Sequence, residues 1–427
     1  YYMNINQLGF DCICKLNSHF KFYTMKKFSY LCLMLLSMYC MTSCTEEKGS
    51  TGLPRIPFKE YLNHTDKISI GTDEIKHIEY VPLELTDDDA SLIGTIVDIT
   101  MSDNFFFVQT FEEFKLFQFS RDGKYIRTIT QQGDGPGRLQ TPGFSIWTNE
   151  KEQKLYVSEA ENISVFTFDG KFEKKINRNG RWVNYAGGDG LDWVAETYRE
   201  NFPFDIPPYF GIGTFRYQDR AAIDTLSMKK DYWDLSVAPL EKTNFFMGCF
   251  IQCQEGYRYG VSCNDTLFTM TKEGIEPFLI MDRGASSAEK KLYFETHMES
   301  HPELIYIRHA CETPKHLYFR FFNNGNWYLL SYEKSTGKVL CQKTNISLEE
   351  NQDYDMWMTC PGIENEVNGG LPMWFKNWNP QTNVAIQATS GATIAWMKEE
   401  GMIKNLPDCL KDYPEDGNPV VAVYHFK

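Results

Sequence analysis

Phe114–Ile129 reads FKLFQFSRDGKYIRTI. An apolar-rich strand pattern runs into a polar turn that ends on Gly123. A second strand pattern follows at once. Alternation, turn and return make a β-hairpin. The same figure recurs in Ile163–Ile176 (ISVFTFDGKFEKKI), Thr266–Ile280 (TLFTMTKEGIEPFLI) and Trp327–Leu340 (WYLLSYEKSTGKVL), with turn glycines Gly170, Gly274 and Gly337. The turns recur at a period of about 50 residues, the range of propeller repeats. The interval from Gly170 to Gly274 is twice as long and has room for one more copy. Thr214–Ser227 (TFRYQDRAAIDTLS) fills it, with Asp219 at the turn.

Another strand pair precedes several of these hairpins: Gly94–Thr110, Pro142–Glu159 and His316–Phe322. Each unit therefore holds four strands, and five units are visible. A radial array of four-stranded units is a β-propeller. Aromatic residues make up 15% of the chain, which suits packing between sheet faces. The ends supply a sixth unit. Ile75–Leu85 (IKHIEYVPLEL) is a strand with no blade before it, and Asn418–Lys427 (NPVVAVYHFK) is a strand with no sequel. Pairing them closes the ring and removes exposed edges. The expected fold is all-β, a six-bladed β-propeller over residues 75–427 with four-stranded blades. Gly391–Tyr413, interrupted at Pro407, and Ser287–Pro302 read as small helical insertions.

The front of the chain is of another kind. Met25–Cys44 (MKKFSYLCLMLLSMYCMTSC) has two lysines, an apolar stretch and small residues before a cysteine. That is a secretory signal of ordinary size, too short to span a bilayer comfortably. Its end on Cys44 resembles a bacterial lipobox, which implies lipidation at Cys44 and anchoring through acyl chains. Tyr1–Thr24 is read as an upstream extension and residues 45–74 as a tether. The acidic pair Glu46–Glu47 resembles a surface-export signal, and a solvated linker would look the same.

Together, Ile75–Leu85, the "DG K" hairpins, the loop Gln131–Pro142 (QQGDGPGRLQTP) and the terminal "NPV" strand resemble the six-bladed β-propeller lipoproteins of Bacteroidetes, the TolB-like or NHL-like propellers. In those relatives the G-x-G-P-G loop continues Glu-Tyr, and here it continues Arg138-Leu139. The resemblance implies a fold and an address, an outer-membrane lipoprotein facing the periplasm or the surface. It implies no activity.

The glycine-rich loop could suggest a phosphate cradle. That would require a helix after it and a GxxxxGK[ST] pattern, and neither follows. It reads as a crossing from one blade to the next, with ligand contact through Asp134 and Arg138 as the alternative. His297 and His301 lack the glutamate of a zinc-protease helix. Asp87–Asp89 lack the alternation of a calcium loop. No G-x-S-x-G elbow occurs. Seven cysteines follow Cys44, all in the second half. Buried thiols, one or two disulfides and, least favoured, a metal site are the readings left open. No cofactor or metal is expected.

The charge is −14, which opposes nucleic acid binding. The expectation is a non-catalytic binding or scaffold protein for a glycan, peptide or envelope partner, touching the membrane only through its anchor. The alternative is a hydrolase or lyase whose carboxylates meet only in space. Loop tryptophans could stack on sugars or pack between blades. Trp182, Trp193, Trp374 and Trp378, in Asn184–Trp193 and Gly369–Trp378 or beside them, are the candidate ligand-face residues with Asp134 and Arg138.

Overall fold

The alternating stretches pair with their neighbours, and the pairing builds six four-stranded blades. The computed structural model describes residues 52–141, 145–178, 180–200, 210–218, 221–230, 248–261, 265–284, 303–344 and 362–427. Leu53–Lys427 forms one compact unit and carries every blade. Cys44 and the rest of residues 1–44, Ser287–Pro302 and the pair His297 and His301 lie outside the described residues, as does the side chain of Trp182.

Three short strands come first: β1 (Arg55–Pro57), β2 (Ser69–Ile70) and β3 (Ile75–Pro82). Blade 1 is β4 (Ile96–Met101), β5 (Phe105–Thr110), β6 (Leu116–Ser120) and β7 (Tyr125–Thr130). Blade 2 is β8 (Ser145–Asn149), β9 (Lys154–Ser158), β10 (Asn162–Thr167) and β11 (Phe172–Asn177). Blade 3 is β12 (Arg181–Asp189), β13 (Trp193–Glu200), β14 (Phe210–Gln218) and β15 (Ala221–Lys230). Blade 4 is β16 (Gly248–Cys253), β17 (Gly256–Val261), β18 (Thr266–Met270) and β19 (Ile275–Asp282). Blade 5 is β20 (Tyr306–Glu312), β21 (His316–Asn323), β22 (Asn326–Glu333) and β23 (Val339–Lys343). After β24 (Glu364–Asn365), blade 6 is β25 (Asn377–Asn379), β26 (Val384–Thr389), β27 (Val420–Phe426) and, returning from the front of the chain, β3. Blades 2 and 3 also touch at their outer strands, where Asn177 of β11 pairs with Ala221 of β15.

The opening hairpin shows why the sequence obeys this plan. Gly123 holds φ +86°, and a Cβ there would lie 2.2 Å from the carbonyl oxygen of Pro82. Only glycine fits a turn pressed so close to the neighbouring backbone. The register slips between Gln118 and Phe119, as a hairpin bulge requires.

Ring closure is as expected. β3 runs antiparallel to β27, with Ile75 opposite Phe426, Tyr80 opposite Ala422 and Pro82 opposite Val420. Except for His425, every residue of β27 is buried. Buried apolar clusters fill the walls between adjacent blades. Phe107, Leu116, Ile146 and Val157 join blades 1 and 2. Ile99, Phe119, Ile386 and Val423 join blades 6 and 1. Burying each such side chain contributes about 1.5–3 kcal/mol. The helical insertion between β26 and β27 is a short helix, α1 (Gly391–Glu399), capped by Ser390 Oγ accepting from Thr393 N. It covers blade 6 through Ile394 and Met397.

The tether reading fails from Leu53 onward. β1 pairs in parallel with β19, Ile56 opposite Met281, and adds a fifth strand to blade 4. Phe58 is fully buried. Asp66 N donates to Cys341 O at 3.0 Å, and Asp66 Oδ2 accepts from Cys341 N at 2.9 Å. β2 pairs with β24. Residues 53–74 thus form a strap across blades 4 and 5 before the chain enters blade 6. The physical reason is composition: Ile56, Phe58, Ile68 and Ile70 carry enough apolar surface to dock, and a solvated tether would not.

Among the described cysteines, Cys249, Cys253, Cys311 and Cys341 are buried thiols and Cys409 is an exposed one. Burial pushes the first four up to about 12. They behave as small apolar side chains.

Candidate ligand site where the inner strands converge

Of the innermost strands β4, β8, β12, β16, β20 and β25, β4 carries Asp98 and β20 carries Arg308 and His309, and Lys376 directly precedes β25; an apolar wall would not need these groups. Asp98 sits in β4 between apolar neighbours and is 5% exposed. Its Oδ2 accepts from Ile146 N at 2.7 Å. Its Oδ1 lies 3.2 Å from Lys376 Nζ, which also donates to Val97 O at 2.6 Å. One carboxylate therefore ties blades 1, 2 and 6. Ser145 Oγ accepts from Ala186 N and continues the circle to blade 3. There Tyr185 stacks on Phe250 of blade 4, planes 11° apart, and Phe250 stacks on Tyr257 with centroids 4.7 Å apart.

Blade 5 supplies the positive charge. Arg308 and His309 are adjacent on β20, and His309 lies opposite Arg320 of β21. The Arg320 guanidinium lies 3.8 Å from the Trp374 ring centre, a cation–π contact. Burial first, then the charges of Arg320, Arg308 and Lys376, pushes His309 down to about 3. Its imidazole is neutral at pH 7 and can both donate and accept. Burial, with Cys249 and Asp98 nearby, pushes the Tyr185 phenol up to about 12. The neighbourhood gathers the cations Arg308, Arg320 and Lys376 around His309, with Asp98 against Lys376, on a chain whose net charge is −14. Arg320 is 2% exposed and belongs to the wall; Arg308 is half-buried and Lys376 exposed, and guanidinium and ammonium groups that reach a surface bind carboxylate or phosphate oxygens.

At the other end of the inner strands lies a cavity of about 70 Å³, lined by Thr100, Thr148, Gly188, Gln252 and Asn379 among others.

Of the expected site residues whose side chains are described, Asp134, Arg138, Trp193 and Trp378 fall elsewhere. Asp134 and Arg138 are exposed on the crossing from β7 to β8. That loop is tied to itself by Gly133 N to Leu139 O at 3.1 Å and Leu139 N to Gln131 O at 3.1 Å. Gly137 is pressed on Phe172, where a Cβ would approach to 2.9 Å. The loop leads into strand β8 and not into a helix. Trp193 and Trp378 are 6% and 5% exposed. Trp193 packs on Tyr257 with centroids 5.8 Å apart, and Trp378 Nε1 donates to Asn383 Oδ1. These rings fill walls between blades and offer no face to a ligand. Trp374, stacked on Arg320, is the one candidate tryptophan among the described side chains that the structure brings to the charged cluster. Trp182 lies on β12, opposite Arg199. Asp87–Asp89 form an exposed turn.

Asp98, Lys376, Arg308, His309, Arg320 and Tyr185 were missed. The available signal was a charge inside an apolar strand: IVDITM in β4 and YIRHACE in β20. A charge in a buried strand demands a partner, and that demand marks it.

The family model for a domain of unknown function, DUF4934, matches residues 53–425. The chain belongs to the DUF4934 family. The match starts where the strap starts, so the strap is part of the DUF4934 domain. Among solved structures, a "Putative exported protein" of Bacteroides fragilis shares 12% identity, with 85% of this chain and 98% of that one covered and a TM-score of 0.59. It confirms the propeller fold. YCF48 bound to D1 peptide shares 11% identity over 82% of this chain and 97% of that one, with a TM-score of 0.40. A calcium-binding protein, regucalcin, of Agrobacterium tumefaciens shares 9% over 85% and 96%, with a TM-score of 0.37. No curated protein matches this DUF4934 chain.

Proposed function

We propose that this chain is an envelope propeller, lipid-anchored at Cys44, that binds a carboxylate-bearing ligand without turning it over. The ligand class is an acidic glycan or an acidic peptide segment of an envelope partner. The observation that carries this reading is the cluster of Arg308, Arg320 and Lys376 around the neutral His309, in an otherwise acidic protein. Supporting it, each buried carboxylate among the described residues is already engaged. Glu196 meets Arg178 at 2.8 Å, and Glu312 meets Arg258 at 3.1 Å and Lys334 at 2.9 Å. Glu159 meets Lys175 at 3.0 Å, Glu74 meets His316 at 3.0 Å, and Asp98 meets Lys376. A glycosidase needs a pair of carboxyl groups free to trade protons across a bond. The exported character given to the Bacteroides fragilis propeller accords with an address outside the cytoplasm.

The experiment is a panel of neutral and acidic polysaccharides and peptides, scored for binding and for release of reducing ends, with alkyne fatty-acid labelling of the same cells. Binding of acidic members without release, and label lost in Cys44→Ala, supports the reading. Turnover abolished by one carboxylate substitution, or equal label on wild type and Cys44→Ala, overturns it.

A further inference from the structure

We propose that His77, Glu79 and His425 form a binding site for a divalent transition-metal ion of the zinc type, placed on the strand pair that closes the ring. The two histidines are direct partners across β3 and β27. Glu79 lies two residues after His77, so it projects from the same face of β3. One ligand atom from each residue lies within 4.8 Å of the other two. Glu79 Oε1 is 3.2 Å from His77 Nε2 and 3.0 Å from His425 Nε2. Metal–nitrogen and metal–oxygen bonds of about 2.0–2.2 Å around a tetrahedral ion place neighbouring ligand atoms at such separations.

Two further observations point to an ion. His425 Nε2 is shut off from solvent and has the Glu79 carboxylate 3.0 Å away, so an ion there would meet a nitrogen and an oxygen donor together. Glu79 is also oriented from behind: its Oε2 faces Arg121 at 3.8 Å, and Arg121 is itself fixed over the Phe106 ring at 4.8 Å. Oε1 is thereby turned to the histidines, the outer-shell arrangement that metal carboxylates use. The imidazole–imidazole–carboxylate set suits zinc, nickel, cobalt or copper over calcium or magnesium. The side chains of His77 and Glu79 are 48% and 44% exposed, so the ion has an entry path and a solvent-facing fourth position.

The rings now lie stacked, centroids 4.0 Å apart and planes 10° apart. Chelation draws them apart by rotation about χ2, a soft torsion. His77 and His425 belong to opposite ends of the domain and meet only in the closed ring. An ion that binds this pair therefore binds the closed form and stabilises it.

The test is titration of the full chain with ZnCl2, and separately with CoCl2, followed by calorimetry, visible absorption and thermal melting. The expected result is saturable 1:1 binding below about 100 μM and a melting temperature raised by about 2–5 °C. His77→Ala and Glu79→Gln each weaken binding at least tenfold, and His77→Ala melts within about 1 °C of wild type without metal. If His77→Ala fails to fold, Glu79→Gln serves as the variant. No saturable binding of either metal, or binding unchanged in the variants that fold, overturns the proposal.

Discussion

Phe58 meets Phe321 edge-on, ring centroids 5.2 Å apart and planes at 75°. A residue of the entry segment is thereby fixed in the wall between blades 4 and 5, beside Phe319 at 5.6 Å. The strap is part of the core it crosses. Phe58→Ala empties a fully buried site and costs about 3–5 kcal/mol. Chemical denaturation measures it; a loss below about 1 kcal/mol would show that the strap is peripheral.

The ring depends on β27. A chain ending at Asn418 lacks the strand that pairs with both β26 and β3. It exposes the apolar faces of Val384 and Ile386 and leaves two sheet edges open. The expected outcome is loss of cooperative melting and association at micromolar concentration, read by calorimetry and light scattering. An unchanged melting curve refutes the closure.

Glu312 joins two blades by accepting from Arg258 and Lys334 while itself buried. Glu312→Gln leaves two cations without that counter-charge in a dry wall. Breaking one side of such a network costs about 3–5 kcal/mol. Replacing Lys334 alone, which is partly exposed, costs less. Equal effects of the two substitutions would contradict this reading of the wall.

His309 sets a pH signature. Its folded pKa, about 3, lies below the ordinary value near 6.5. The unfolded chain therefore binds the extra proton first as pH falls. Stability is fully present above about pH 6.5 and declines as pH drops through the range from about 6.5 to 3. His309→Gln cannot bind that proton, so its melting temperature falls less between pH 7 and pH 4. Parallel curves for the two proteins would show that His309 is solvated.

The fold was legible because hairpin turns repeat and because a propeller forces a period on the chain. Ile75–Leu85 and Asn418–Lys427 stood out as strands without partners. The strap was not legible. β1 is three residues with a proline, too short for alternation to show, and its parallel partner Ile280–Asp282 lies far along the chain, in blade 4. The candidate site was missed for a related reason. Asp98, Arg308 and Lys376 come from three blades, and only the closed ring makes them neighbours. The tryptophans misled because glycines flank them: Gly188 permits close approach to the Trp193 backbone, where a Cβ would lie 2.2 Å from its oxygen, and so serves packing instead of a loop.

Binding of an acidic ligand at the cluster around His309, through Arg308 and Lys376, is the central claim. The direct measurement is calorimetric titration of wild type, Arg308→Gln and Lys376→Gln with a uronic-acid oligomer and its neutral counterpart, at low and physiological salt. Saturable binding of the acidic oligomer alone, weakened by salt and at least tenfold by Arg308→Gln or Lys376→Gln, is the predicted result. Equal affinity for the neutral oligomer, or acidic binding that neither substitution changes, would contradict it.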